Sequence, residues 1–308
     1  KSELKDINAA PWQDLKMEDE LIKKLQSEYC AHSVEDIRET VEKQIDFQLA
    51  DDQAKLGAYP SEDFYRKQLN ELISEYKKGR LSNHEFVRKT LITTGCLFHV
   101  GYYHRGEPKQ KAWKALSSQL TAAANVLYEL AKDPHNIDQK AIFERLLAGG
   151  GKSKLNLITA KVFMAMQDAA MFKADVNKMP IIYVTVDNVL DKQLAGEDKI
   201  TLDVLFGEPK KEIAVMPEFV KDAMQKAGVN WKHAASTTSL NYNKRLQIMS
   251  KETWLFTFVL DSEKITKKSI MIIDEVDKVF NVESWNISSA PKYKHMIMKL
   301  LSKAHQEV

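Results

Sequence analysis

The sequence predicts an all-helical domain over residues 1–133 followed by an α/β lobe with a mainly parallel sheet over residues 134–308. Three observations predict it. Up to Asp133, apolar residues recur at three- and four-residue steps and strong β patterning is absent. After Pro134, short β-branched and aromatic runs alternate with helical segments. Between these regimes stands "LAGGGKS", three glycines followed by Lys152 and Ser153 and then an apolar-periodic run.

The helices come first. In "SVEDIRETVEKQIDFQLA", Ser33 is a candidate cap with Glu35 and Asp36 in the first turn, and Val34, Ile37, Val41, Ile45 and Leu49 form the stripe. "SEDFYRKQLNELISEYKKG" repeats the design. Ser61 caps, Phe64, Leu69, Leu72, Ile73 and Tyr76 form a face, and Gly79 stops it. A third helix starts at Ser82 or Asn83. The Ala- and Leu-rich "KQKAWKALSSQLTAAANVLYELAKD" is a fourth, ended by Pro134.

The strands follow. Ile181–Val186 is a β-branched and aromatic run after Pro180, "KKEIAVMP" is a second short strand, and "TWLFTFVL" is a third candidate. "SIMIID" is a fourth, apolar on both faces as a buried parallel strand should be. "EFVKDAMQKAGV" reads as a helix closed by Gly228, and "GEDKITLDVLFGEPKK" as an insertion or long loop. These readings put the domain boundary near Asp133–Asn136.

Composition bounds the function. The chain has 308 residues, 44% hydrophobic and 29% charged, enough for a sizeable core. A net charge of +2 argues against bulk nucleic acid as a partner, although a local basic face can hide in a balanced total. Two distant cysteines, Cys30 and Cys96, are not a disulfide framework, so a reducing, cytoplasmic setting is expected. No apolar run approaches the ~20 residues that span a bilayer. The start lacks Met and an apolar signal core, and with the abrupt end it suggests a piece of a longer chain.

Gly149, Gly150 and Gly151 answer a specific chemical need. A phosphate loop requires backbone N–H groups turned toward an anion, with a helix N-terminus directly behind. Lys152 would meet the terminal phosphates and Ser153 would offer a hydroxyl to Mg²⁺. The full G-x-x-x-x-G-K-[ST] spacing fails, because Leu146 stands where its first glycine would be. The plain alternative is a glycine-rich linker before an amphipathic helix whose face is Leu155, Ile158, Val162 and Phe163. The second half favours the phosphate loop. An apolar strand ends in Asp274-Glu275, and carboxyl ends of parallel strands are where ligands sit in open α/β sheets. Asp274 would hold Mg²⁺, and Glu275 would orient and deprotonate an attacking water.

Together "LAGGGKS" and "IIDEVDKVF", with "IIYVTVDNVLDKQL" between them, resemble the first motor lobe of superfamily 2 (DEAD-like) ATPases, and the resemblance is strongest to SecA-like motors. In those motors the loop reads Thr-Gly-Glu-Gly-Lys-Thr. Here Ala148 and Gly150 replace the Thr and Glu, and Ser153 replaces the final Thr. Asp274–Asp277 matches the Asp-Glu-Val-Asp box throughout. Val184–Asn188 matches a Val-Thr-Val-Asn stretch that leads into the polymer-contacting segment, except that Asp187 stands for the Asn. The resemblance covers about residues 138–295, and "NISSAP" is similar to the strand leading out of the motor. It implies a RecA-like lobe binding ATP and Mg²⁺, hydrolase activity, and a polypeptide or nucleic-acid substrate. It also implies an upstream adenine-reading glutamine, for which Gln139 is the candidate and Gln110 and Gln119 are rivals. "ASTTSLNYNKRLQ" lies where such motors place a polymer-contacting turn, in which Lys244 and Arg245 could meet phosphates. A second lobe normally contributes arginines to the phosphates. The residues after Glu275 are too few to build one, so slow or absent turnover without that missing partner is expected.

Other residues read more plainly. Cys96, His99 and His104 have no evident fourth ligand and suit packing better than zinc. Nothing completes a nucleophilic dyad around Cys30 and His32. Met164, Met166, Met171 and Met179 read as core filler, and Lys77, Lys78 and Arg80 as a helix C-terminal charge cluster. Two further function classes stand beside the motor. One is a helical interaction module with a nucleotide-sensing or degenerate lobe and no turnover. The other, lacking a nucleophile, is an α/β enzyme using Asp274 and Glu275 as acid and base.

Overall fold

The computed structural model describes residues 34–106, 117–137, 152–185, 197–207, 213–215, 244–251 and 269–274, with residues 108, 111, 115, 142 and 254 singly between them. The chain divides into two compact units, Lys1–Asn177 and Lys178–Val308.

The first unit is helical. Helix α1, Val34–Leu56, buries Val41, Ile45 and Leu49, the C-terminal part of the expected stripe. The cap expected at Ser33 and the side chains of Val34 and Ile37 lie outside the described residues. Helix α2, Glu62–Lys77, opens on Ser61, whose hydroxyl accepts the Phe64 N–H at 3.2 Å. It closes on Gly79 at φ +70°, with the Arg80 N–H reaching Glu75 O and the Gly79 N–H reaching Tyr76 O. This is a Schellman ending, and it needs the left-handed residue that glycine supplies without strain. The fully buried face of α2 is Glu62, Tyr65 and Leu69. Phe64, Leu72, Ile73 and Tyr76 are half-buried, so the packed face is rotated from the stripe the apolar residues mark.

Helix α3, Asn83–Arg105, carries a complete capping box. The Ser82 hydroxyl accepts the Glu85 N–H, and the Glu85 carboxylate accepts the Ser82 N–H. Those bonds hold the Glu85 carboxyl below its ordinary range. The helix is buried from Thr90 through Tyr102 because it is the axis of the unit. Helices α1, α2, α4 (Ser117–Lys132) and α5 (Lys152–Asp168) all pack on it.

Helix α5 also packs on α2 and α4, and it is buried on almost every side. The expected face of Leu155, Ile158, Val162 and Phe163 is buried, and so are Leu157, Ala160, Met164, Ala165 and Met166. Phe163 stacks on Phe172 with ring centres 4.9 Å apart. Met171 is buried too, whereas Met179 is half-buried, so three of the four methionines read as core filler are buried. The division between units therefore falls after Asn177 and not at Asp133–Asn136, because α5 is built into the helical unit.

The second unit holds a four-stranded, all-parallel sheet in the order β2-β3-β1-β4. Strand β1, Ile181–Thr185, is central and wholly buried. It pairs Thr185 with Ser250 of β3 (Leu246–Ser250) and Val184 with Ile273 of β4 (Ile270–Ile273). Strand β2, Ile213–Val215, pairs outside β3. Three expectations are corrected. Strand β3, Leu246–Ser250, begins inside the stretch read as a turn; of the expected strand "TWLFTFVL" only Trp254 is described, with helical backbone, and the rest lies outside the described residues. Strand β4 is half-buried along its length, because it lies at the edge of the described sheet. The "insertion" after Gly196 contains helix α6, Glu197–Phe206, which buries Leu202, Val204, Leu205 and Phe206 and ends on Gly207 at φ +74°. The helix expected in "EFVKDAMQKAGV" lies outside the described residues.

Candidate nucleotide-binding elements

Lys152 and Ser153 are the first two residues of α5, both half-buried. Gly149, Gly150 and Gly151, and the adenine-reading candidates Gln139 and Gln110, lie outside the described residues, as does the side chain of Gln119. The helix expected over Lys154–Met166 behind the glycines runs Lys152–Asp168, so Lys152 and Ser153 are inside it. Its first turn contains Lys152 and Lys154 and no acidic residue. That inverts the usual arrangement. The amino end of a helix carries about half a positive charge, and a like charge there is unfavourable by ~0.3–1 kcal/mol. Lysines in that turn are stabilised when an anion shares it, and helix N-terminal N–H groups in general attract phosphate.

The two lysines have different surroundings. The Nζ of Lys154 lies 5.5 Å from the centre of the Tyr102 ring, within cation–π range. Tyr102 is wholly buried on α3 and packs against Phe98, with ring centres 4.8 Å apart. Two residues along a helix turn the side chain through about 200°, so Lys152 leaves the helix on the side opposite Lys154. Neither Lys154 nor Tyr102 was marked by the motif. The signal that could have found them is the second lysine itself, in a turn that ordinarily takes acids.

Asp274 belongs to the second unit. It follows β4 directly, is half-buried, and its N–H donates to Val184 O at 2.9 Å, extending the ladder past the strand. It therefore stands at the carboxyl end of the sheet, where the sequence placed it. On the neighbouring strands that same end carries Thr185, whose hydroxyl donates to Met249 O at 3.4 Å, and Lys251, only 4% exposed. A lysine so enclosed directly after a strand was missed by motif reading. Glu275, Asp187 and Asn188 lie outside the described residues. Lys244 and Arg245 are half-buried at the opposite, amino end of β3, where Arg245 O accepts the Ile181 N–H at 2.7 Å. This is a structural use of the backbone at the end away from Asp274.

The remaining candidates have packing roles. The Cys96 thiol is fully buried and 3.8 Å from Ile45 O, and burial pushes it well above the ordinary thiol range. A His104 ring nitrogen pairs with Pro60 O at 3.0 Å, and His99 lies beside the Tyr59 ring. Among the described residues no three His, Cys, Asp or Glu side chains are grouped as a metal site. Cys30 and His32 lie outside the described residues. Lys78 and Arg80 both pair with Glu75, as a helix C-terminal cluster would. Among the described residues no helix is long and apolar enough to cross a membrane. Comparison with protein-family models, curated proteins and solved structures finds no significant match.

Proposed function

We propose that this chain binds Mg-ATP and is the ATP-binding part of a SecA-like superfamily 2 motor, acting in the cytoplasm. The observation that carries the reading is the first turn of α5, where Lys152, Ser153 and Lys154 follow three glycines with no acid among them. In this reading the backbone of Gly149–Gly151 and the Lys152 ammonium take the phosphates, and Gln139 reads the adenine. Ser153 in the helical unit offers a hydroxyl suited to Mg²⁺, and Asp274 in the second unit separately offers a carboxylate suited to it; a bound Mg²⁺ would supply charge neutralisation on the phosphates. Glu275 orients a water for attack. The all-parallel sheet with Asp274 at its carboxyl end supports a RecA-like lobe. Coupled work on a polypeptide fits the near-neutral charge better than unwinding of a nucleic acid.

A second reading is a helical interaction module whose nucleotide site senses and does not turn over. The packing of α5 into the helical unit favours it, because a bound phosphate would then act first on that unit. Calorimetric titration of Mg-ATP and Mg-ADP, beside Lys152→Ala and with phosphate release followed in parallel, tests both. Saturable binding lost in Lys152→Ala supports the site. Slow phosphate release that rises with an added second lobe supports the motor, and binding without release supports the module. No binding in a folded chain overturns the site.

A further inference from the structure

We infer that Ala169–Asn177, the segment leaving α5, is a latch. It closes on α5 as one cooperative piece, and its opening lengthens the chain between α5 and β1. The inference is independent of the nucleotide reading. It starts from a strained turn. Past Asp168, the Ala170 N–H reaches Gln167 O at 2.9 Å and the Met171 N–H reaches Met166 O at 3.1 Å, the two bonds of a Schellman ending. Helices α2 and α6 place glycines in the left-handed region there, at φ +70° and +74°. Here the left-handed residue is Ala170, at φ +56°, the one non-glycine residue at positive φ among the described residues. Its Cβ crowds the neighbouring carbonyl in that conformation, so the surroundings must hold it.

Two side-chain amides and three apolar side chains supply the hold. Asn177 grips the backbone of Phe172 at both its polar groups. Its Oδ1 accepts the Phe172 N–H at 3.2 Å, and its Nδ2 donates to Phe172 O at 2.7 Å. Gln167, in the last turn of α5, donates from Nε2 to Val176 O at 2.9 Å. Met171, Phe172 and Val176 are buried, with Phe172 stacked on Phe163 of α5, while residues 173–175 between them are exposed. These bonds join the two ends of the segment to each other and to α5, so the loss of one loosens the rest. The helical unit ends at Asn177. With the latch closed, the three residues 178–180 lie between it and β1; with it open, the twelve residues 169–180 lie between α5 and β1. At roughly 3.5 Å per extended residue, the reach of that chain rises from about 10 Å to about 40 Å. The latch thereby sets the length of the tether between the units.

Native-state hydrogen exchange in the whole chain, read residue by residue beside trypsin cleavage after Lys173, tests the latch. In the unsubstituted chain the Ala170, Met171, Phe172 and Asn177 amides should share one level of protection, well below that of Ile158–Phe163 in the middle of α5. Asn177→Ala removes both bonds to Phe172. It should speed exchange about tenfold at all four amides, including Ala170 and Met171, whose acceptors are carbonyls of α5. Cleavage after Lys173 should rise by the same factor, because it tracks the open population. Ala170→Gly relieves the turn and should act in the opposite direction, slowing exchange at all four amides and cleavage several-fold. Protection equal to that of the middle of α5 would mean that the segment opens only when the whole unit does, which overturns the inference. A change confined to the Phe172 amide in Asn177→Ala would make the Asn177 bonds a local staple and also overturn it. Exchange that Ala170→Gly fails to slow would remove the strained turn from which the latch is argued.

Discussion

The Tyr65 hydroxyl donates to the buried carboxylate of Asp52 across 3.1 Å, joining α2 to α1 by a polar bond inside an apolar interface. Gln48 Nε2 donates to the same carboxylate from one turn earlier at 2.9 Å. A carboxylate enclosed to 3% exposure depends on its donors to replace lost hydration, so removing one leaves it less well compensated. Tyr65→Phe keeps the packing and removes one donor, and it should cost about 1–3 kcal/mol. Chemical denaturation of the helical unit, followed by circular dichroism, measures this. A cost near zero would mean that the Gln48 bond alone suffices.

The same region should make the protein sensitive to alkali. Burial raises the Tyr59 hydroxyl to about 12, with the neighbouring Tyr103 as a second cause. Burial is also the main reason that Tyr65 and Cys96 lie far above their ordinary values. Each group keeps its proton in the folded chain at a pH where the unfolded chain has released it. The unfolded chain then binds fewer protons, so stability falls as pH rises. The contribution is fully present below the unfolded values, about 8.5 for the thiol and about 10 for the phenols, and is lost as pH climbs through them toward the folded values. The melting temperature should be level between about pH 6 and about pH 8 and decline above that. Cys96→Ala should flatten the first part of the decline and Tyr59→Phe the later part. An equally steep decline in both variants would assign the alkaline loss to other groups.

Glu62 and Arg105 tie the start of α2 to the end of α3. Arg105 donates from Nε at 2.5 Å and from Nη2 at 2.7 Å to the two oxygens of a carboxylate that is only 10% exposed. Arg66, one turn along α2, donates to the same group at 3.0 Å. The two-pronged geometry suits a guanidinium and not an ammonium. Arg105→Lys should therefore recover little of the loss seen in Arg105→Ala. Glu62→Gln should cost about 1.5–3 kcal/mol, more than the ~0–1 kcal/mol expected for the exposed pair Lys67–Glu71. Thermal unfolding of these variants side by side gives the comparison. Full recovery by lysine would show that charge, and not the fork, makes the link.

Gly95 lets α1 approach α3 closely. A Cβ at this position would lie 3.1 Å from Cγ1 of Ile45 and closer still to its terminal methyl. Ile45 is itself buried. Gly95→Ala gains up to about 1 kcal/mol of helix propensity but forces the isoleucine aside, an overpacking cost of about 1–3 kcal/mol, so a net loss is expected. Ile45→Val removes the crowded methyl. The double variant Ile45→Val/Gly95→Ala should be more stable than Gly95→Ala alone, a coupling that a double-mutant cycle reads directly. If the two changes simply add, the helices have room that the geometry denies.

Several of these elements were legible because their signals are local. Ser61, Gly79, the helix start at Ser82 or Asn83 and a strand within Ile181–Val186 each act within a few residues, and the structure has each of them there; the reciprocal Ser82–Glu85 box was not read. What was illegible depends on partners distant in sequence. The rotated face of α2 is set by Tyr65 finding Asp52, and the unit boundary by α5 finding α3. Strand β3 was hidden because Gln247 interrupts its apolar run with a polar side chain that the fold buries, its Nε2 bonded to Lys244 O. Of the candidate site, the helix start at Lys152 and the strand end at Asp274 were readable as pattern. The Tyr102 platform was not, because nothing in "FHVGYYH" points fifty residues ahead to Lys154.

Asp274 offers the sharpest separation between metal and phosphate functions. Its N–H is committed to the sheet through Val184 O, so its place depends on β4 and not on its carboxylate. Asp274→Asn should leave that backbone bond and the strand intact while removing the charge suited to Mg²⁺. In the proposed reading, ATP binding in the presence of a chelator depends on Lys152 and the glycine loop and should be unchanged by this substitution. The tightening on adding Mg²⁺ should shrink about tenfold, corresponding to the loss of about 1.4 kcal/mol of coupling. Lys152→Ala should do the reverse, weakening binding with and without the metal alike. Titrations of ATP into the three proteins, each with Mg²⁺ and with chelator, measure all six affinities. Equal Mg²⁺ enhancement in Asp274→Asn and the unsubstituted chain would detach the strand-end acid from nucleotide binding.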